Sequence, residues 1–325
     1  MRFILRRIGF YAVAAWVSIT LNFLLPRLMP GDPASVIFGR AQGRMTPEAL
    51  EAMKRAYGLS DDPIYIQYLN YIKSVFTLDF GTSFVYFPAP VTEVIGTGLR
   101  WTLLLGLASV ILSFLIGSII GVFGAWKRGG LLDSVMPPLL LFIGSFPYFW
   151  LATIALFFLS FKWDIFPIRH AYEAGLEPGW DFEFVRSVLF HLVLPAATVL
   201  LVSIGGWVLG MRNAMISTLA EDYVTMAEAK GLSERRVMFR YAARNALLPN
   251  VTAFGMALGF VLSGALLTEV VFSYPGLGYQ LLNSVRGLDY PLMQGLFLMI
   301  TFAVLGANLL VDLLYVRLDP RVRVR

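Results

Sequence analysis

The chain has 325 residues, of which 58% are hydrophobic and 14% charged, and its mean hydropathy is +0.70. No water-soluble core needs that much apolar surface, so the composition is that of an integral membrane protein. The absence of cysteine excludes disulfides, thiolate chemistry and cysteine-bound metals, and a net charge of +5 does not by itself imply nucleic acid.

Six runs lack any Asp, Glu, Lys or Arg: 8–26, 101–126, 134–161, 187–211, 245–268 and 290–311. A bilayer core of ~30 Å needs about 20 helical residues at ~1.5 Å each, so each run is long enough to span. Six spans put both termini on one side. Lys and Arg decide which side. With the N-terminus inside, 15 basic and 7 acidic residues are cytosolic, against 11 basic and 14 acidic residues outside. The expected fold is therefore all-α, with six transmembrane helices, N-in and C-in.

In chain order, residues 1–30 form the first transmembrane helix. Arg2, Arg6 and Arg7 precede an apolar run as in a signal peptide, but no small-residue cleavage site follows, so a retained helix is expected. Residues 31–99 form an external segment. Thr46-Pro47-Glu48 predicts one short helix to about Tyr57. Asp62-Pro63 predicts another, carrying Ile64, Tyr65, Tyr68, Leu69, Ile72 and Val75. This segment is either an amphipathic cap on the outer bilayer face or a platform for an external binding protein. The remaining five spans form a core over 100–316, and 317–325 is a basic tail suited to anionic inner-leaflet lipid.

Within that core, Gly117/Gly121 and Gly255/Gly259 are spaced four apart, which lets helices approach closely; pore lining is the alternative. Lys127-Arg128-Gly129-Gly130 predicts a short inner turn. Pro147 bends the third span, either as a hinge or as fixed geometry. The loop 162–186 is rich in Trp and acidic residues. His191 lies near the outer end of the fourth span, where a hydrogen-bonded structural role competes with a proton relay.

The chain is organised around Glu221–Asn250, a charged stretch within a loop 217–250 between apolar runs. Thr218 and Glu221 have the spacing of a reciprocal helix cap. Tyr223, Met226, Ala227 and Lys230 follow at i, i+3, i+4 and i+7, on one side of a short helix that Gly231 ends. Ser233 is placed to start a second helix through Glu234, Arg235, Arg236, Arg240 and Arg244, stopping before Leu248-Pro249. Two short helices joined by a glycine turn, lying along one bilayer face, suit docking onto another protein; a solvated connector is the plainer reading.

This stretch resembles the coupling loop of ABC importer permeases. Its Asp222-Tyr223-Val224, Ala227-Glu228-Ala229-Lys230-Gly231-Leu232 and Arg244-Asn245-Ala246-Leu247-Leu248-Pro249 look like the peptide/nickel branch. The likeness extends to Met29-Pro30-Gly31-Asp32-Pro33, Leu78-Asp79-Phe80-Gly81-Thr82-Ser83, Thr268-Glu269, Phe272-Ser273-Tyr274-Pro275-Gly276-Leu277-Gly278 and Asp289-Tyr290-Pro291. It covers nearly the whole chain and is strongest to B-type dipeptide/oligopeptide permease subunits. The chain departs from the general pattern at Thr225-Met226-Ala227, where the common form has Glu-Ala-Ala, and at Phe166-Pro167-Ile168-Arg169-His170.

The resemblance implies a multi-pass subunit of the inner (plasma) membrane, working in a peptide importer whose relatives carry nickel or oligosaccharides. It implies a second related permease in a heterodimer, two ATPase subunits that bind ATP and Mg, and an extracytoplasmic solute-binding protein. Tyr223 to Lys230 would sit in an ATPase cleft, with Glu221, Asp222 and Glu228 as the acidic candidates. Gly231 would turn the chain, and Arg235, Arg236, Arg240 and Arg244 would meet acidic residues or lipid phosphates. Pro147, Ser263, Thr268 and Glu269 are candidates for the translocation path or gate.

The residues themselves carry no engine. The spans hold no charged side chain, no phosphate-binding glycine loop occurs, and His170 and His191 lack the local spacing of a metal pair. No catalytic residue, metal or cofactor is expected on this chain. A secondary transporter or channel is the remote alternative, marked by conduction without ATPase subunits.

Overall fold

The computed structural model describes residues 2–29, 62–259, 261 and 266–318. The Met29–Pro33 run beyond Met29, the helix expected from Thr46, the candidate Ser263 and the tail beyond 318 lie outside the described residues.

Helices account for the architecture. They are α1 (Arg2–Leu28), α2 (Ile64–Thr77), α3 (Val91–Trp126), α4 (Leu131–Ser134), α5 (Met136–Gly144) and α6 (Tyr148–Ala155). A π-helical run, Leu156–Lys162, continues α6. Then come α7 (Phe182–Leu219), α8 (Asp222–Ala229), α9 (Glu234–Arg236), a second π-helical run (Val237–Ala243), α10 (Arg244–Gly259), α11 (Leu266–Val271), α12 (Leu277–Arg286) and α13 (Tyr290–Leu318). Among the described residues, four helices are long and apolar enough to cross a membrane; counting a bent pair as one more gives up to five. The bent pair is the third apolar run, broken by 94° between Gly144 and Tyr148. Pro147 stands at that break as the residue before α6, where its ring and missing N–H are tolerated. The 245–268 run falls partly outside the described residues.

The chain divides into two compact units. The first comprises Met1–Thr102 and Pro275–Arg325. In it α1 packs on α13 and α2. Ile19 and Phe23 of α1, Tyr71 and Val75 of α2 and Leu298 of α13 form the core between them. Arg27 fastens α1 to α2: its Nε and Nη2 donate to Gln67 Oε1 at 3.2 and 3.0 Å, and its guanidinium lies 3.7 Å over the Phe23 ring. The apolar set expected on α2 splits: Val75 goes into the core, while Ile64, Tyr65 and Leu69 are exposed.

The same unit brings together two motifs distant in sequence. Asp289, fully buried just before α13, accepts a hydrogen bond from Ser83 Oγ at 2.6 Å and from the Val85 N–H at 2.9 Å. Its other oxygen accepts from the Leu292 N–H at 3.1 Å and so caps α13. Burial pushes the Asp289 carboxyl above the usual carboxylate range, against the opposing pull of Ser83 and these backbone donors. Around this centre Asn283 donates to the Tyr86 hydroxyl, Gln280 to the Val94 carbonyl, and the Leu277 N–H to Thr102 Oγ1.

The second unit is Leu103–Tyr274. Here α7 is the central pillar, packed by α5, α6 and α10. Backbones come close enough that glycine is required. A Cβ at Gly117 would lie 2.6 Å from Trp207 Cβ, and one at Gly121 2.7 Å from the Val208 carbonyl oxygen. This pair therefore packs α3 on α7, as its spacing predicts. Gly255 has nothing within 4 Å of a Cβ and makes no such contact. Buried hydroxyls turn back to their own helices, Ser109 to Leu105 and Ser113 to Ser109, and Ser113 also meets Ser203 of α7.

Two outcomes test this packing. Gly121→Val should destabilise the purified chain by about 1–3 kcal/mol through overpacking, lowering its thermal midpoint in detergent, whereas Gly255→Ala should leave the midpoint unchanged or higher. Asp289→Ala strands three donors and should cost at least about 2 kcal/mol, read as a larger midpoint fall than Ser83→Ala produces.

Candidate functional site

The elbow between α7 and α10 exposes the charged residues Glu221, Asp222, Glu228, Lys230, Glu234, Arg235 and Arg236. Several of its sequence-based expectations need revision. Thr218 does not cap α8, because α7 runs on to Leu219 and Thr218 Oγ1 donates within it to the Ala214 carbonyl at 2.9 Å. Glu221 is the residue that precedes α8, in extended backbone, with no side-chain cap bond. Burial of Leu219 against the elbow explains why the pillar continues that far. Asp222 then opens α8, where its charge suits the helix N-terminus.

The side of α8 drawn from the sequence also divides. Ala227 is buried, but Tyr223 and Met226 are 39% and 59% exposed. The packed side is Val224 with Ala227, seated on Val237 and bordered by Trp126, Leu219, Leu232 and Tyr241. Burying the valine side chain alone contributes roughly 1.5–3 kcal/mol. This leaves Glu221, Asp222, Tyr223, Met226, Glu228 and Lys230 facing outward together. Tyr223 is steadied from below, its hydroxyl accepting from Asn245 Nδ2 at 2.9 Å.

Gly231 closes α8 as the sequence predicts. Its φ is +71°, a left-handed value that glycine adopts without penalty. The Gly231 N–H donates to the Glu228 carbonyl and the Leu232 N–H to the Ala227 carbonyl, so two orphan carbonyls of the helix end are satisfied. Leu232 then packs back into the cluster beneath α8.

Ser233 does start the return helix, though without a side-chain cap bond. The expected stop before Leu248-Pro249 does not occur. The chain is helical from Glu234 through the π-helical run to Gly259, with Pro249 inside α10. Burial of Ala246 and Asn250 on either side of the proline holds the helix together despite the lost N–H. Val237, Met238, Ala242 and Ala243 face inward, so Arg235, Arg236, Arg240 and Arg244 all face outward.

One pair went unnoticed in the sequence. Asp133 of α4 is buried and forms an ion pair with Arg212 of α7, while its second oxygen accepts from the Gly129 N–H at 2.9 Å. It ties the turn 127–130 to the pillar beside the close contact at Gly121, where a Cβ would lie 3.0 Å from the Arg212 backbone nitrogen. The available signal was position: Asp133 directly precedes one apolar run and Arg212 directly follows the next.

The path candidates sit elsewhere in the second unit. Pro147 is exposed at the 94° break. Thr268 and Glu269 are fully buried in α11, which packs on α6 and α7, and the Glu269 carbonyl accepts from the Tyr274 N–H at 2.8 Å. Thr268 Oγ1 has no hydrogen-bond partner among the described residues. His191 donates from Nδ1 to the Ser187 carbonyl at 2.8 Å, a structural bond. Burial, with Arg169 and then His191 nearby, holds His170 below the usual histidine range. Among the described residues no cluster of three or more His, Asp or Glu could hold a metal.

An outward-facing helix on a stiff elbow, in a chain of apolar helices, is the arrangement of a membrane component that works through another protein. Residues 113–324 match the family described as binding-protein-dependent transport system inner membrane component, and residues 1–94 match its N-terminal companion. The chain belongs to this family. It is 33% identical to the dipeptide transport system permease protein DppB of Lactococcus lactis, over 99% of both chains. It is 35% identical to DppB of Escherichia coli K12 and 36% identical to the di/tripeptide transport system permease protein DppB of Pseudomonas aeruginosa, each over 99% of both chains. As an inner membrane component of a binding-protein-dependent transport system, it is a multi-pass permease subunit.

The left-handed turn of this permease gives a direct test. Gly231→Ala meets no neighbouring atom, so its penalty is conformational, about 1 kcal/mol. Amide hydrogen exchange over 226–232 should accelerate about fivefold, with exchange elsewhere in α7 unchanged.

Proposed function

We propose that this permease forms half of the translocation path of an ATP-driven importer of peptides and takes its motive force through the elbow. It spans the inner membrane six times, with both termini and the elbow in the cytosol. It pairs with a second, related permease as a heterodimer. Two ATPase subunits bind ATP and Mg, and an extracytoplasmic binding protein delivers the solute. Peptide as cargo is supported by the dipeptide and di/tripeptide permeases that the chain resembles over its length.

The observation that carries this reading is the two-sided build of α8. Its inner side is fixed to the bundle through Val224 and Ala227, and its outer side offers Tyr223, Met226, Glu228 and Lys230. A part so built moves as one piece with α7 and the return helix when something grips its outer side. Arg235 and Arg236 add a basic flank for acidic groups on the ATPase. The charge balance supports the orientation: the elbow's side of the membrane carries the excess of Lys and Arg.

Ala227→Asp buries an unpaired carboxylate under α8, and Gly231→Pro forbids the left-handed turn. Both variants should insert in the membrane yet lose at least about tenfold in substrate-stimulated ATPase activity, since each removes more than ~1.4 kcal/mol from the joint. A single cysteine introduced at Met226 should react with a membrane-impermeant reagent only from the cytosolic side. Labelling from outside, or normal coupling in both variants, sinks the proposal.

A further inference from the structure

The second unit contains a cleft of about 610 Å³ bounded by α3, α7 and the π-helical start of the return helix. Its walls are apolar, with Leu115, Ile119, Phe239 and Leu247 among them. Two features break that character. Arg240 and Arg244, one turn apart, line one end; both are exposed, and neither has an ion-pair or hydrogen-bond partner among the described residues. Ser118 lines the cleft too; it is 7% exposed, and its Oγ has no hydrogen-bond partner among the described residues. No acidic side chain lines the cleft.

An unpaired cation pair beside an apolar slot, on a membrane protein, has a specific chemical complement. The guanidiniums need an anion with several acceptor oxygens. The slot needs hydrocarbon, and the buried hydroxyl needs an acceptor at depth. A phospholipid offers all three in order: phosphate, glycerol ester carbonyl, acyl chain. A free phosphate ion satisfies only the arginines. A packed apolar helix satisfies the slot but leaves the two like charges unpaired. The widened π-helical turn, Val237–Ala243, places Phe239 and Arg240 side by side at the rim, where lipid tail and head group meet.

We propose that this cleft is a binding site for one anionic phospholipid, its phosphate on Arg240 and Arg244 and one acyl chain along α3. The leaflet, though not the site, rests on the cytosolic elbow proposed above. Because the site abuts the return helix directly after the elbow, a bound lipid stiffens the segment through which α8 connects to the bundle.

The test uses the assembled transporter, purified in mild detergent, delipidated, and titrated with phosphatidylglycerol or phosphatidylcholine under native mass spectrometry. Phosphatidylglycerol should be retained where phosphatidylcholine is stripped. The double variant Arg240→Gln, Arg244→Gln should bind it roughly 30-fold more weakly, and Arg240→Lys, Arg244→Lys should recover most of the loss. Ser118→Leu, which fills the wall and leaves the charges, should weaken binding as well. The chain has no native cysteine, so a thiol introduced by Ile119→Cys reports the cleft alone; phosphatidylglycerol should protect it from a thiol reagent. Equal retention of both lipids, undiminished retention in the glutamine variant, or protection by inorganic phosphate alone would overturn the assignment. So would a thiol that is protected before lipid is added and that cross-links to the second permease. Lipid retention is read without ATP hydrolysis, so failure here leaves the transport reading untouched.

Discussion

The contact of Val224 and Ala227 with Val237 is the interaction on which the rest of the elbow depends. Without it α8 is an eight-residue helix on a tether, too short to hold its shape in water. With it, α8 shares an apolar floor with the end of α3, the end of α7 and the first turns of the return helix. The outward residues then keep fixed positions relative to three helices at once. Gly231 makes this possible, since only a left-handed turn there returns Leu232 to the same floor within one residue of the helix end.

Around the elbow the second unit is stiffened by close backbone approach more than by bulk. In lipid, apolar side chains gain little by leaving hydrocarbon for one another, so association rests on packing and polar contacts. Gly117 and Gly121 set α3 against α7, Gly205 sets α7 against Leu140 of α5, and Ser113 meets Ser203 across the first of these joints. Asp133 and Arg212 add a charged tie where the helices emerge. The ion pair has most value at that boundary, where desolvation is partial and neither charge need enter hydrocarbon.

Much of this was legible in the sequence, because apolar run length and glycine punctuation are local signals. The first and last spans, the turn at Gly129, the break at Pro147 and the end of α8 at Gly231 all appear where those signals stand. The misreadings share a different cause. Thr218 has the spacing of a cap, and Pro249 has the look of a helix stop, but in each case burial of a neighbour, Leu219 or Ala246, decides the outcome. The side of α8 marked by Tyr223, Met226, Ala227 and Lys230 is split by burial: Ala227 joins Val224 on Val237, and the other three stay exposed. Asp133 with Arg212, and Ser83 with Asp289, are pairs across long sequence separation; a single sequence marks their positions but not their partnership.

A consequence follows from where the polar groups lie. Ser109, Ser113 and Thr198 satisfy their hydroxyls on their own helices, while Ser118 and Thr268 find no partner among the described residues. On the mechanism proposed above, a change of shape is imposed at the ends of helices, through the elbow. The return helix is suited to receive it, running without interruption from Glu234 to Gly259. Its π-helical stretch lies just past the elbow, at the point where load would enter. A π-helical turn is a looser spring than an α-helical one, with poorer hydrogen-bond geometry and a wider bore. Val237, Met238, Ala242 and Ala243 clamp that stretch from the inside. On the proposed mechanism, their burial would keep the compliant turn from absorbing the motion, so that displacement of α8 would pass into α10.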